Sequence, residues 1–329
     1  MVTAVLTASA GVALVAAVWL SVMLTVFTPR GKPTRLVRGT LRGVASPLLA
    51  ISGRLPPAAR EPLLDLCGPL AVFAVAAIWL GVSHAGFALM AGTPLREAES
   101  SSRLLLLAAI TAYLVRFMHA YGRRERLVAR LGGSVCNPRD ADNLLAVYLR
   151  TGSRDHLDSL FAEWTGWMTE VESSHRAHPA LTFRRPAGDL DWLKAAVIVL
   201  DVAALTEAIA PNWAPAHTRA LLATGTRCVR RLADGLCIRL PPIVVSLQGR
   251  EERNFSDTLR VAMEAGLPDE RDPQEAWTVF QGLRTAYAPH AYAIETRLRY
   301  DRLDEPDDVG EDDEVGDVGD IGGVGEAGG

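Results

Sequence analysis

Metal-ligating side chains cluster at Glu172, His175 and His178. Histidines three apart share one face of a helix and can hold an ion together, with the carboxylate one turn earlier as a third donor. Pro179 ends that helix at once, and no second cluster completes the set. No metal is therefore assigned, and His175 is expected to make structural hydrogen bonds inside a helical domain. Asp201 lies at the centre of the apolar stretch 193–209. It reads either as a buried functional carboxylate or as half of an ion pair across a core, with Arg184 as the candidate partner. Trp164, Trp167 and Trp192 stand at helical spacing and read as core rather than as a ligand cage. Two further groups, His84 and Arg116, sit within long apolar runs. Ionisable groups at membrane depth are candidates for an ion pathway; near the interfaces they are anchors instead. No nucleophile elbow, phosphate loop or dinucleotide fingerprint is present, so neither a catalytic residue nor a cofactor is assigned and an enzyme is not expected. The cysteines Cys67, Cys136, Cys228 and Cys237 include no CxxC pair and read as free thiols.

The elements that carry these groups follow from the apolar runs. A helix needs roughly 20 apolar residues to cross the hydrocarbon core. Leu63–Ala91 meets this outright; Leu104–Tyr121 is shorter and carries Arg116 one turn from its end, where a long cation can snorkel. Val2–Phe27 is a third run. It lacks the leading positive charge and small-residue cleavage site of a signal peptide, and its charges follow it. The predicted organisation is a first transmembrane helix in 1–28, a basic linker in 29–62, a second helix in 63–91, a short extracytoplasmic loop in 92–103 and a third helix in 104–121. A helical domain follows in 122–300 and an acidic tail in 301–329. Six arginines and Lys32 fill 30–60 without an acid, and Arg123, Arg124, Arg126 and Arg130 follow the third helix. Both clusters place their segments on the cytoplasmic side, which predicts three spans in the cell membrane with the N-terminus outside and the C-terminus inside. Ridges of small residues, Ser9–Ala13–Ala17 and Ala77–Gly81–Ala85, would let helices approach closely, or reflect an alanine-rich composition.

Within the linker, Arg35, Arg38 and Arg42 share a helical face opposite Leu36, Val37, Leu41 and Val44. This describes either a short helix on anionic lipid headgroups, ended by Pro47, or a solvated basic loop. From Asn137 the pattern becomes amphipathic helices over 139–149, 154–172, 189–209 and 216–240, with one or two more in 273–303. Asp201 argues against a fourth span over 193–209, since a central carboxylate costs roughly 2.5–3.5 kcal/mol on insertion scales. The fold class is thus all-α: three transmembrane helices, a cytoplasmic helical domain and a tail expected to be disordered. The tail holds twelve acids and one arginine, so the net charge of −4 leaves the first 300 residues at +7. It reads as a solubilising segment, or as one that folds back on the basic linker. Basic residues sit beside the membrane rather than on the domain, and nucleic acid is not an expected partner.

The end of the third run, Tyr113-Leu114 through Ala120-Tyr121, Arg123-Arg124-Glu125, resembles the inner helix of a family of bacterial potassium-channel-like membrane proteins. Gly68-Pro69-Leu70 and Gly86-Phe87-Ala88-Leu89 are similar to that family's outer helix. The resemblance continues through Trp164, Trp167, Glu172, His175, Pro179, Leu181, Phe183, Arg184, Trp192 and Asp201. It implies a leading helix, a basic linker, a two-helix channel hairpin and a helical cytoplasmic domain. The family conducts through a re-entrant helix and a Thr-x-Gly-Tyr-Gly-Asp filter whose carbonyls replace the ion's hydration shell. Here the interval is GTPLREAESSSR, with one glycine and no tyrosine. A re-entrant helix and its extended return need about 25 residues at 1.5 Å and 3.3 Å per residue.

The expected function is therefore that of a non-conducting subunit, scaffold or sensor with the helical domain as its interacting part. Expected partners are membrane lipid with anionic headgroups, other copies of the chain and a further protein. The alternative is an oligomeric channel or transporter with a pore of another kind, in which His84 and Arg116 would matter. A membrane-tethered enzyme ranks last.

Overall fold

The computed structural model describes residues 2–28, 35–134, 141–151, 153–185, 190–238, 240 and 250–298. Arg30 and Lys32 of the linker, the side chain of Arg35, Cys136 and the acidic tail lie outside the described residues, so the expectations placed on them do too. No strand occurs among the described residues. Three segments are long and apolar enough to cross a membrane: Val2–Phe27, Cys67–Leu89 and Pro94–Gly133.

Helix α1 (Val2–Val22) runs into a π-turn at Met23–Phe27. In hydrocarbon, every backbone polar group must be satisfied within the segment, so such runs have no alternative to the helix. Helix α4 (Cys67–Leu89) crosses α1 where Gly11 meets Gly86. A Cβ on Gly11 would stand 2.5 Å from the Gly86 carbonyl, and one on Gly86 would stand 2.8 Å from Val15 Cγ2. Farther along the same seam the buried Trp79 donates its indole N–H to Ser21 Oγ at 3.2 Å. The two predicted small-residue ridges are not the contact: all six of their residues are exposed. A spacing of four marks a ridge but not the direction it faces.

Helix α5 (Glu99–Ser134) is 36 residues long, which at 1.5 Å per residue is roughly 54 Å. The third span and the basic cluster after it are therefore one continuous rod. Between α4 and α5 lie a turn and a short 3-10 helix, Pro94–Ala98.

The linker differs from expectation. Helix α2 (Arg35–Ser52) passes through Pro47 instead of ending there. The lost hydrogen bond is offset by burial on both sides of it, at Val37, Leu41, Ala45, Leu49 and Ser52. Val37 and Leu41 join the core of the membrane helices, so protein rather than acyl chain covers this apolar face. Helix α3 (Pro57–Asp65) then leads into α4, which starts at Cys67 rather than Leu63.

The domain is built around α8 (Trp192–Ile209), started by Asp191, whose carboxylate accepts from the Leu193 N–H at 2.6 Å. Almost every residue of α8 is buried. Around it pack α6 (Ala141–Thr151), α7 (Arg154–Ala177), α9 (Thr218–Gly235), α11 (Pro273–Arg284) and α12 (Ala288–Leu298). Helix α10 (Arg250–Glu264) has no counterpart in the sequence reading. Its signal is short: Phe255, Leu259 and Ala262, spaced four and three, bury one face of an otherwise charged helix.

Gly86→Val should overpack the α1–α4 crossing and cost about 1–3 kcal/mol, read as a lowered thermal midpoint of the detergent-solubilised protein. Gly81, five residues away with open space at its Cβ position, should accept valine with a change within about 0.5 kcal/mol.

Candidate functional site

One side of α5 is buried from end to end. Ser102, Leu106, Ala109, Tyr113, Phe117, Ala120, Arg124, Leu127 and Leu131 follow one another at spacings of three and four. Such spacing keeps side chains on one helical face, and eight of the nine are small or apolar or half-polar fillers. The exception is Arg124. Its side chain is 1% exposed, at the level where the membrane helices give way to the domain.

The guanidinium is satisfied by a segment far off in sequence. Nη1 donates to the Leu181 carbonyl at 3.0 Å and Nη2 to the Arg184 carbonyl at 2.9 Å. Nε donates to Glu125 at 2.8 Å. The cation also faces the rings of Tyr121 and Trp192, at 5.3 and 5.1 Å. The Arg124 carbonyl accepts from the Trp167 indole at 3.1 Å. Arg124 thereby joins α5, α7, α8 and the loop between α7 and α8.

That loop is a wedge. His178 leads into a 3-10 helix, Pro179–Phe183, and Ala180 and Leu181 are buried among the membrane helices rather than in the domain. Gly68, at the start of α4, makes room for it: a Cβ there would come within 3.2 Å of Arg184 Cα. Arg184 itself lies over the Tyr121 ring at 5.0 Å, and the Tyr121 hydroxyl donates to the Arg185 carbonyl.

Two histidines flank the wedge. His175 is held by the Val171 carbonyl through Nδ1 at 2.9 Å and packs on Trp192, with Nε2 buried and unpartnered. His178 packs edge-on against Tyr113 and Phe117, with Nδ1 buried and unpartnered. Burial, and after it the positive charge of Arg124, pushes His175 down to about 3. Burial and Arg116 push His178 down to about 4. Burial raises Asp191 to about 7 against its bond to Leu193.

The other expected residues are scattered. Glu172 does not join the histidines; it sits between Arg176, Arg227 and Arg231. Among the described residues no three His, Cys, Asp or Glu are arranged to hold a metal ion. Asp201 pairs with Arg284 at 3.3 Å and with the Tyr287 hydroxyl, not with Arg184. Trp164, Trp167 and Trp192 are core residues. His84 meets Glu99 at 2.8 Å at one end of the hairpin. Arg116, toward the other end, donates to the Val26 carbonyl at 2.6 Å. They are not brought together within the chain. Arg38 and Arg42 are exposed on α2, and Arg42 reaches Cys237 Sγ at 3.0 Å.

Sequence reasoning used Arg124 only as a topological marker. Its position on the buried stripe, seven residues after Phe117 and seven before Leu131, was the available signal. Comparison with protein-family models, with curated proteins and with solved structures finds no match to this chain.

Arg124→Met should strand two buried carbonyls and cost about 3 kcal/mol or more, with faster protease cleavage in the wedge. Arg123→Met, at an exposed pair with Glu170, should stay within about 0.5 kcal/mol. For pH, both histidines have folded values below their unfolded ones. Their contribution is complete above about 6.5 and is lost as pH falls toward 4, because the unfolded chain takes up protons that the folded chain refuses. Asp191 acts oppositely between about 4 and 7, gaining stability as pH falls. His178→Gln should therefore remove about 1.4 kcal/mol per pH unit of acid destabilisation between about 6 and 4.5, measured as unfolding free energy against pH.

Proposed function

We propose that this is a membrane-anchored, non-conducting relative of the potassium-channel-like proteins, acting as a scaffold or sensor whose helical domain meets a protein partner. The observation that carries the reading is the connection between α4 and α5. A turn and the short Pro94–Ala98 helix join the two arms directly, and the space between the arms is occupied by Trp79, Leu106, Tyr113 and Phe117. Backbone carbonyls that would coordinate a dehydrated ion need a re-entrant segment, and nothing in this interval supplies one.

Orientation follows the arginines: α1 enters from outside, α4 runs outward and α5 returns, so that the domain is cytoplasmic in a bacterial cell membrane. The exposed Arg38 and Arg42 then lie at the height of anionic headgroups. The two outward-facing small-residue ridges favour one second reading, an oligomeric channel or transporter whose pore forms between copies.

Ion flux into liposomes separates the two. With the purified protein reconstituted, potassium, sodium and proton gradients should each decay no faster than in empty vesicles. Protein-dependent flux that Arg116→Leu abolishes would favour the pore between copies. In the proposed reading Arg116→Leu costs stability alone, about 1–3 kcal/mol for a charged hydrogen bond.

A further inference from the structure

The face of α9 away from α8 forms an open groove of about 430 Å³ with the end of α11. Leu222, Leu283 and Ala286 make an apolar floor, and Arg227, Arg230 and Arg231 stand at its rim. Arg227 and Arg231 are about half exposed and share the single carboxylate of Glu172. Arg230 gives one N–H to the Ala286 carbonyl. Helix α9 carries four arginines against one aspartate, so the groove is positive above a greasy floor. It suits a chain that alternates acids with aliphatic residues.

Such a chain exists in the same protein. The tail contains Glu314-Val315-Gly316, Asp317-Val318-Gly319 and Asp320-Ile321-Gly322, an acid–aliphatic–glycine triplet three times over. An extended conformation with three residues per turn places every third side chain on one edge, so the aliphatic residues would share an edge and the acids the next. The geometry of attachment allows the match. Ala286 of the groove precedes α12 by two residues, and the tail leaves the far end of α12. That helix is eleven residues, roughly 16 Å. The fifteen residues between Leu298 and Glu314 span up to about 50 Å, ample to double back.

We infer that the acid–aliphatic triplets at 314–322 dock in the arginine-rimmed groove of α9 and α11 of the same chain. The acids pair with Arg227, Arg230 and Arg231, and Val315, Val318 and Ile321 cover the floor. The tail is then a built-in occupant that any acidic partner of this groove must displace. The inference stands whether or not the protein conducts.

Disulfide trapping in the full-length protein, solubilised or in nanodiscs, tests it. With Cys136 and the exposed Cys237 replaced by serine, Val318→Cys is combined with Ala223→Cys at the groove, or with Gly43→Cys on the basic helix α2. Mild oxidation should close the groove pair at least about fivefold faster than the α2 pair, reflecting a higher effective concentration. The advantage should shrink in about 0.5 M salt, where the Debye length is a few ångströms. Arg230→Glu should abolish it. Glu314→Gln, Asp317→Asn and Asp320→Asn together should do the same without touching the folded domain. Equal rates at the two positions, a faster α2 pair, or disulfides only between chains of differently labelled copies would each overturn the inference. The last outcome would assign the groove to a neighbour's tail.

Discussion

A buried guanidinium is costly unless each of its donors is met, and Arg124 is met by the domain. Its two terminal nitrogens bond main-chain carbonyls of the wedge, and its flat faces are covered by Tyr121 and Trp192. The position of the helical domain under the membrane helices follows from this. Carbonyl acceptors come with fixed directions, so the wedge has one seat against α5. Gly68 keeps α4 far enough back for the wedge to take it, and α7 is aligned through the Trp167 indole. The outer pairs Arg123–Glu170 and Arg130–Glu163 run in matching antiparallel register along α5 and α7. As exposed pairs they add little energy each, but they agree with the buried register.

Much of the fold was legible because its signals are one-dimensional. Apolar length gave the three spans, arginine placement gave an orientation to test, and the periodicity of 154–172 and 189–209 gave α7 and the core helix α8. The carboxylate of Asp201 correctly marked α8 as a domain helix, since a buried acid wants a partner that only a folded domain offers. The partner itself was not legible. Arg184 and Arg284 are both arginines near apolar residues, and only the packing of α11 on α8 brings the second within reach. The same limit applies at α1 and α4. Ser9, Ala13 and Ala17 look like a contact ridge in a string of letters, whereas the close approach of α1 and α4 falls at Gly11 and Gly86. Pro47 misled for a related reason, because a proline's local cost is overridden when the residues beyond it have somewhere to be buried.

The site was partly visible. His175 and the tryptophans were placed correctly in a domain core. What the sequence could not convey is that residues 178–184 belong to two cores at once. Ala180 and Leu181 pack with the membrane helices while Phe183 packs against the domain core. A run of seven residues has no periodicity long enough to announce such a role. Arg124 did have one, but a run of four arginines after a membrane helix is explained so readily by topology that its membership of the α5 stripe is easily passed over.

Arg124 and its acceptors are separated by 57 and 60 residues, and this has a consequence for biogenesis. When the second hairpin arm leaves the ribosome, the wedge has not been made. At about 5–20 residues per second, its carbonyls follow several seconds later. Over that interval the α5 guanidinium lacks its carbonyl acceptors and has to be met by water, since an unmet cation is costly in hydrocarbon. The side chain that fastens the finished domain is thus, until residues 181–184 exist, a charge that only solvent can satisfy.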